Sequence, residues 1–226
     1  MITEILAAVV ASIIAITLHE AAHGYAAEAL GDPTAREQGR VSLNPLRHVD
    51  LVGTLLVPGI LLVTQLLTIG RVEAMFGWAK PVPVNVMRLR NPRWGMMWVA
   101  AAGPAMNVVL AFVAALAAHL GGLLEADSAQ LLYRSIALFM VVNLVLAAFN
   151  LLPIPPLDGG RIVTALLPYG LAARYAQLER FGLLIVLALI MVLPRISADL
   201  DVMAWVSRHV VGPAFVLLLR AAGHPA

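Results

Sequence analysis

His19 and His23 stand four residues apart with Glu20 between them, inside an almost uncharged apolar stretch that runs from Ile5 to Leu30. On a helix, positions i and i+4 lie one above the other on one face. Two imidazole nitrogens so placed can bind one Zn2+ while the carboxylate stands beside a metal-held water. That is hydrolytic chemistry. The same short pattern arises by chance, and on a soluble amphipathic helix it is commonly only a solvated face. In a membrane span that blander reading is expensive, because each ionisable group near the bilayer centre costs on the order of 2.5 to 3.5 kcal/mol. Three of them within five residues call for a function.

The rest of the composition agrees with a membrane setting. Hydrophobic residues make up 61% of the 226-residue chain and charged residues 12%, against roughly 45–50% and 25% in ordinary soluble domains. With a mean hydropathy of +0.89, the chain reads as an all-α polytopic membrane protein forming a single integral-membrane domain over 1–226. The net charge of +2 is spread over loops that flank apolar segments, which is a topology signal and excludes a nucleic-acid role. With no cysteine in the chain, a zinc ion has only His, Asp or Glu to hold it. Met1-Ile2-Thr3-Glu4 lacks a basic leader, and the apolar stretch behind it is too long for a cleaved signal, so the first helix is expected to stay.

Apolar segments fall at about 3–30, 51–70, 94–120, 131–152, 179–194 and 202–219, with a short helix from Asp158 to Leu167, giving five or six transmembrane helices. The last segment is interrupted by Arg208 and His209 and kinked by Gly212-Pro213, so a surface-lying helix is the alternative there. In the second segment, Val57-Pro58-Gly59-Ile60 breaks the run into halves of about ten residues, too short to cross. The pattern predicts a re-entrant hairpin, a shape that is tolerated where protein or a water-filled cavity covers the broken backbone. The 31–50 and 71–93 loops then share a side and carry Arg36, Arg40, Arg47, Arg71, Lys80 and further arginines, whereas 121–130 carries Glu125 and Asp127 and no cation. By the positive-inside rule the basic loops face the cytoplasm, and His19 and His23 lie toward that side of the cell membrane.

The fourth segment ends on the same side, in Asn150-Leu151-Leu152-Pro153-Ile154-Pro155-Pro156-Leu157-Asp158-Gly159-Gly160-Arg161. Three prolines in four positions cannot continue a helix, and two glycines let the backbone turn tightly around Asp158. Asp158 could simply cap the next helix. A two-histidine site needs a third protein ligand, however, and Asp158 is the candidate. Its competitors are loop or isolated residues: Glu73, Glu125, His48, His119 and His209. Asn150, at the broken helix end, and Asn107, in Gly103-Pro104-Ala105-Met106-Asn107, are each equally accounted for by a cap or an interhelical hydrogen bond.

Taken together and in this order, His19 to His23, Gly103-Pro104-x-x-Asn107 and Asn150-x-x-Pro153-x-Pro155-x-Leu157-Asp158-Gly159 resemble the site-2 protease family of intramembrane zinc metalloproteases. The resemblance covers most of 5–165, which it implies is the catalytic core, and the stretches Gly39 to Pro45 and Gly77 to Asn85 look like the compact branch that lacks PDZ and CBS modules. The resemblance implies one zinc on His19, His23 and Asp158, with Glu20 as acid/base. It further implies that Asn150 helps to position substrate or stabilise an oxyanion, and Asn107 is carried as a substrate-side candidate.

The expected activity is hydrolysis of peptide bonds within or near transmembrane segments of a membrane-protein substrate, as in regulated intramembrane proteolysis, with a membrane partner to gate it. A substrate helix must first unwind, and residues 38–44 or 77–85 could offer it a short membrane-associated β edge; ordinary loop packing explains those stretches equally well. A zinc transporter and a non-catalytic helix-binding protein are the other classes in view.

Overall fold

A computed structural model describes residues 2–70 and 77–225, with side chains from residue 6 onward. Its main helices are α1 (Ile2–Ala29), α2 (Leu51–Ile69), α3 (Pro92–Ala117), α4 (Ala126–Asn150), α5 (Asp158–Leu166), α6 (Tyr169–Ile196) and α7 (Val202–Ala221). All but the nine-residue α5 are long and apolar enough to cross a membrane, and among the described residues there is no strand. The chain is an all-α multi-pass membrane protein.

Helix α3 is the hub, packed against α1, α4 and α5. Its start is fixed by Asn91, whose side chain accepts from the Trp94 N–H, with Pro92 in the first turn where its missing N–H is no loss. Small residues let it come close to its neighbours: Ala111, Ala114 and Ala115 are buried with Met140 and Leu144 of α4 and Val206 and Val211 of α7. Helix α7 therefore belongs to the bundle. A π-helical turn over Ser207–Val211 absorbs the Arg208-His209 stretch, and Pro213 falls at the start of the α-helical turn that follows, so the helix continues through Gly212.

Two expectations are corrected. Pro58-Gly59 does not split the second segment, because α2 is one continuous 19-residue helix. A π-helical turn spans Leu51–Leu56, and Pro58 sits in the first α-helical turn beyond it, where its missing N–H is tolerated. The flanks of α2 nevertheless lie together: Trp78 N–H donates to the Gly53 carbonyl (3.1 Å) and Lys80 N–H to the His48 carbonyl (2.9 Å). Residues 71–76, which include Arg71 and Glu73, lie outside the described residues. The short β segments are also absent among the described residues. Residues 77–85 form a strap held mainly by single side chains, and 38–44 turn through Gly39, whose φ of +63° suits glycine.

Candidate metal centre

His19 and His23 project from α1 toward α3 and are 4% and 6% exposed; Asp158, the first residue of α5, is 6% exposed. Asp158 Oδ2 lies 3.1 Å from His19 Nε2 and 3.3 Å from His23 Nε2, and the two Nε2 atoms are 3.1 Å apart. Two pieces of chain 139 positions apart thus place three ligand atoms in one small triangle. Among the described residues this is the one group of three His, Asp or Glu side chains close enough to hold a metal ion.

Hydrogen bonds on the far side of each ring set what the near side offers. Asn107 donates from Nδ2 to the Ala15 carbonyl (3.2 Å) and to Asn143 Oδ1 (2.9 Å), so its Oδ1 is left as an acceptor. That oxygen sits 2.6 Å from His19 Nδ1, which must therefore carry the proton. His23 Nδ1 likewise donates to the Val99 carbonyl at 2.7 Å. Both Nε2 atoms then present lone pairs, to each other and to a carboxylate oxygen. Three acceptors facing one another at 3.1 to 3.3 Å repel unless a cation lies between them. The spacing fits zinc, since donors about 2.0–2.1 Å from a tetrahedral ion lie roughly 3.3 Å apart.

The backbone makes this convergence possible. A Cβ on Gly103 would lie 2.5 Å from His23 Nε2 and 2.6 Å from His19 Nε2, so the imidazoles pack directly on the bare α3 backbone. In α5, a Cβ on Gly159 would lie 2.3 Å from the Leu151 and Leu152 carbonyl oxygens, so the proline-rich turn can fold back on itself only around glycine. Leu157 is the N-cap residue of α5 and no side chain caps the helix; the Asp158 carboxylate points to the histidines.

A cavity of about 110 Å3 opens at the triangle, lined among others by Glu20, Asn150 and Arg161 and by Pro81, Val82 and Val84 of the strap. Glu20 Oε2 accepts from the Val82 N–H at 3.0 Å, and Asn150 Nδ2 donates back to the Leu146 carbonyl at 3.0 Å. Arg40 donates to the carbonyls of Arg47, Lys80 and Pro81, and Asp32 accepts from the Asn85 N–H at 2.6 Å. Burial pushes the Arg40 guanidinium below its usual range, partly offset by the nearby Glu20 carboxylate. The strap is thus pinned at Lys80, Pro81, Val82 and Asn85, and Pro81 and Pro83 have no N–H to offer.

Asn107 is fully buried and does not line the cavity; it faces His19. The competitors lie elsewhere. His48 bonds to the Ser42 carbonyl, His119 to Ala222 and His209 to Trp205, while Glu125 precedes α4. Sequence reasoning missed Asn143, whose signal was a lone amide in an apolar span, and Arg40, whose carbonyl partners leave no trace in the sequence.

A buried cluster of two histidines and one carboxylate on membrane helices is a donor set that could hold zinc, and comparison with known proteins gives the class, a membrane zinc metalloprotease. The chain belongs to Peptidase family M50, the site-2 proteases, whose family pattern it matches over residues 117–193. It is 39% identical over 185 residues to the protein named "Putative zinc metalloprotease YwhC" of Bacillus subtilis (strain 168), covering 80% of this chain and 78% of that one. It is 32% identical over 182 residues to "Putative zinc metalloprotease Rip2" of Mycolicibacterium smegmatis, covering 79% of this chain and 64% of that one. No solved structure gives a significant match.

Proposed function

We propose that this protease cuts peptide bonds within or next to the transmembrane segments of membrane-protein substrates, in regulated intramembrane proteolysis, with its active centre toward the cytoplasmic face of the cell membrane. The reading takes the whole chain as one catalytic domain with its core at about 5–165 and a membrane partner as its gate. The observation that carries it is the convergence of three acceptors, His19 Nε2, His23 Nε2 and Asp158 Oδ2, within 3.3 Å of one another and beside Glu20.

These three residues would hold the zinc, which when bound supplies a Lewis acid that polarises a carbonyl and makes a neighbouring water acidic. Glu20, half-buried on the cavity wall, takes the proton of the attacking water and returns it to the leaving amine. One of its oxygens, Oε2, accepts from the Val82 N–H, so the strap positions the base while the other oxygen is left to take the proton. Asn150 lines the same cavity, and rotation of its amide away from Leu146 offers a donor to a developing oxyanion. Asn107 and Val99 fix both histidine tautomers, a positioning role. A substrate unwound at the cavity finds no N–H at Pro81 or Pro83, so its own carbonyls cannot pair with the strap there. Zinc transport would need further ligands leading to both faces, and the described residues hold one such cluster.

Glu20→Gln is expected to keep one zinc per chain while losing at least ~100-fold in hydrolysis. Full proteolysis by that variant on membrane proteins that it captures and the wild type cuts would remove the mechanism.

A further inference from the structure

A second cavity, of about 300 Å3, adjoins the one at the ligand triangle. The two share Val82, Val84, Pro156 and Arg161 as a common wall. Beyond that wall the second cavity is also lined by Val86, Met96, Thr164, Ala176 and Glu179. The first cavity has room for a few waters or one peptide group, since a water occupies about 30 Å3 in the liquid. A substrate held there for hydrolysis must place a neighbouring side chain elsewhere. The second cavity begins where the first ends, is walled largely by valine, methionine and proline, and is at the small end of the roughly 300–1,000 Å3 range of organic-ligand pockets.

Arg161 is the group between them. It lies three residues after Asp158 in α5, on the same helical face, and among the described residues its guanidinium has no hydrogen bond or ion pair. A half-buried fork of five donors left unmatched is an invitation to an acceptor. The acceptors that an extended substrate always brings are its main-chain carbonyls.

Resting on the function proposed above, we infer that the second cavity is the specificity subsite for one apolar side chain, of the leucine, methionine or phenylalanine class, next to the scissile bond. Arg161 receives a carbonyl of the same stretch. The chemistry suits substrates drawn from membrane spans, and it makes the side chain beside the cut, not main-chain pairing with the strap, the main selector.

Hydroxamates test this without a known substrate, because they bind the metal directly and carry a side chain into whatever lies beside it. The full-length protein, loaded with Co2+, is titrated with acetohydroxamate and with N-acetyl-leucine hydroxamate, and binding is read from the visible absorption of the metal. The leucine compound is expected to bind roughly tenfold to a hundredfold more tightly, the gain chiefly from burying its isobutyl group, with its N-acetyl carbonyl on Arg161 adding to it. Ala176→Trp and Val86→Trp fill the cavity from two exposed lining positions, and either should abolish most of that gain while leaving acetohydroxamate within about twofold. Arg161→Met should lose several-fold on the leucine compound, and Arg161→Lys should recover part of it. Equal affinities for the two probes, or a gain that survives both fills, overturns the subsite and leaves the metal site standing. No spectral change with either probe overturns the metal site and the subsite together.

Discussion

Gly103→Ala puts the geometry of the centre to its hardest test, because one methyl group is added where two metal ligands meet. Built on the existing backbone, the new Cβ lies 2.5 Å from His23 Nε2 and 2.6 Å from His19 Nε2 and Cε1. Ordinary contact begins near 3.4 Å, so each ring must retreat by about 0.8 to 0.9 Å or α1 and α3 must part by that distance. Zinc tolerates only about 0.2 Å in its ligand distances. Loss of an outer-shell partner alone costs ~10–100-fold in metal affinity, so direct displacement of both imidazoles should cost at least ~100-fold, about 2.7 kcal/mol. The fold should lose about 1 to 3 kcal/mol from overpacking. Zinc affinity is measured on the purified full-length protein by competition with a chromophoric chelator, alongside thermal unfolding in excess zinc. Gly122→Ala is the control, since a Cβ there meets nothing within 4 Å and should change neither quantity. A Gly103→Ala protein that binds zinc within threefold of wild type and unfolds at the same temperature would refute the packing argument.

Three further outcomes follow from the same structure. Asn107→Leu should weaken zinc binding by ~10–100-fold, because it frees the His19 ring and leaves Asn143 Oδ1 and the Ala15 carbonyl without their donor; wild-type affinity in a folded variant would sink the tautomer argument. Burial disfavours the charge of Asp32, but hydrogen bonds from the Thr34 side chain and backbone and from the Asn85 N–H outweigh it and hold the carboxyl below its usual range. Its contribution is then present in full above its unfolded pKa of about 3.9 and lost as pH falls toward the lower folded value. Asp32→Asn should cost about 1 to 3 kcal/mol at pH 7, with the gap to wild type shrinking below about pH 4; a gap that widens in acid denaturation curves contradicts the sign. Single cysteines at 80 and 126 in this cysteine-free chain should label from opposite faces, since Lys80 lies beside His48 before α3 and Ala126 follows its far end; same-face labelling would overturn the topology.

Much of this was legible in the residues. The i, i+4 histidines fixed one face of α1, and the prolines and glycines around Asp158 marked a turn that could serve nothing but a fixed carboxylate or a cap. The helix ends came within a few residues for five of the six spans, whereas α6 begins ten residues earlier than its apolar core, because Arg174 and Glu179 in its first turns hid the helix. Pro58-Gly59 misled because a dipeptide reports local preference, and a π turn just before it changes which N–H groups the helix needs. The role of Asn107 was ambiguous for a related reason: an amide in a span has four bonding positions, and only the third dimension shows that His19, Ala15 and Asn143 take three of them. The strap was the least legible part. Its anchors are Arg40, Glu20 and Asp32, each far from it in sequence and each bonding to main chain, which carries no side-chain signature.

The separation of 139 positions between His19 and Asp158 also has a temporal meaning. The ribosome delivers both imidazoles with the first helix, and the carboxylate arrives only after three further spans have been made. A half-synthesised chain therefore carries an incomplete centre. On the proposed reading, hydrolytic chemistry waits until α1, α3 and α4, the helices around the centre, have been made, a safeguard written into chain order.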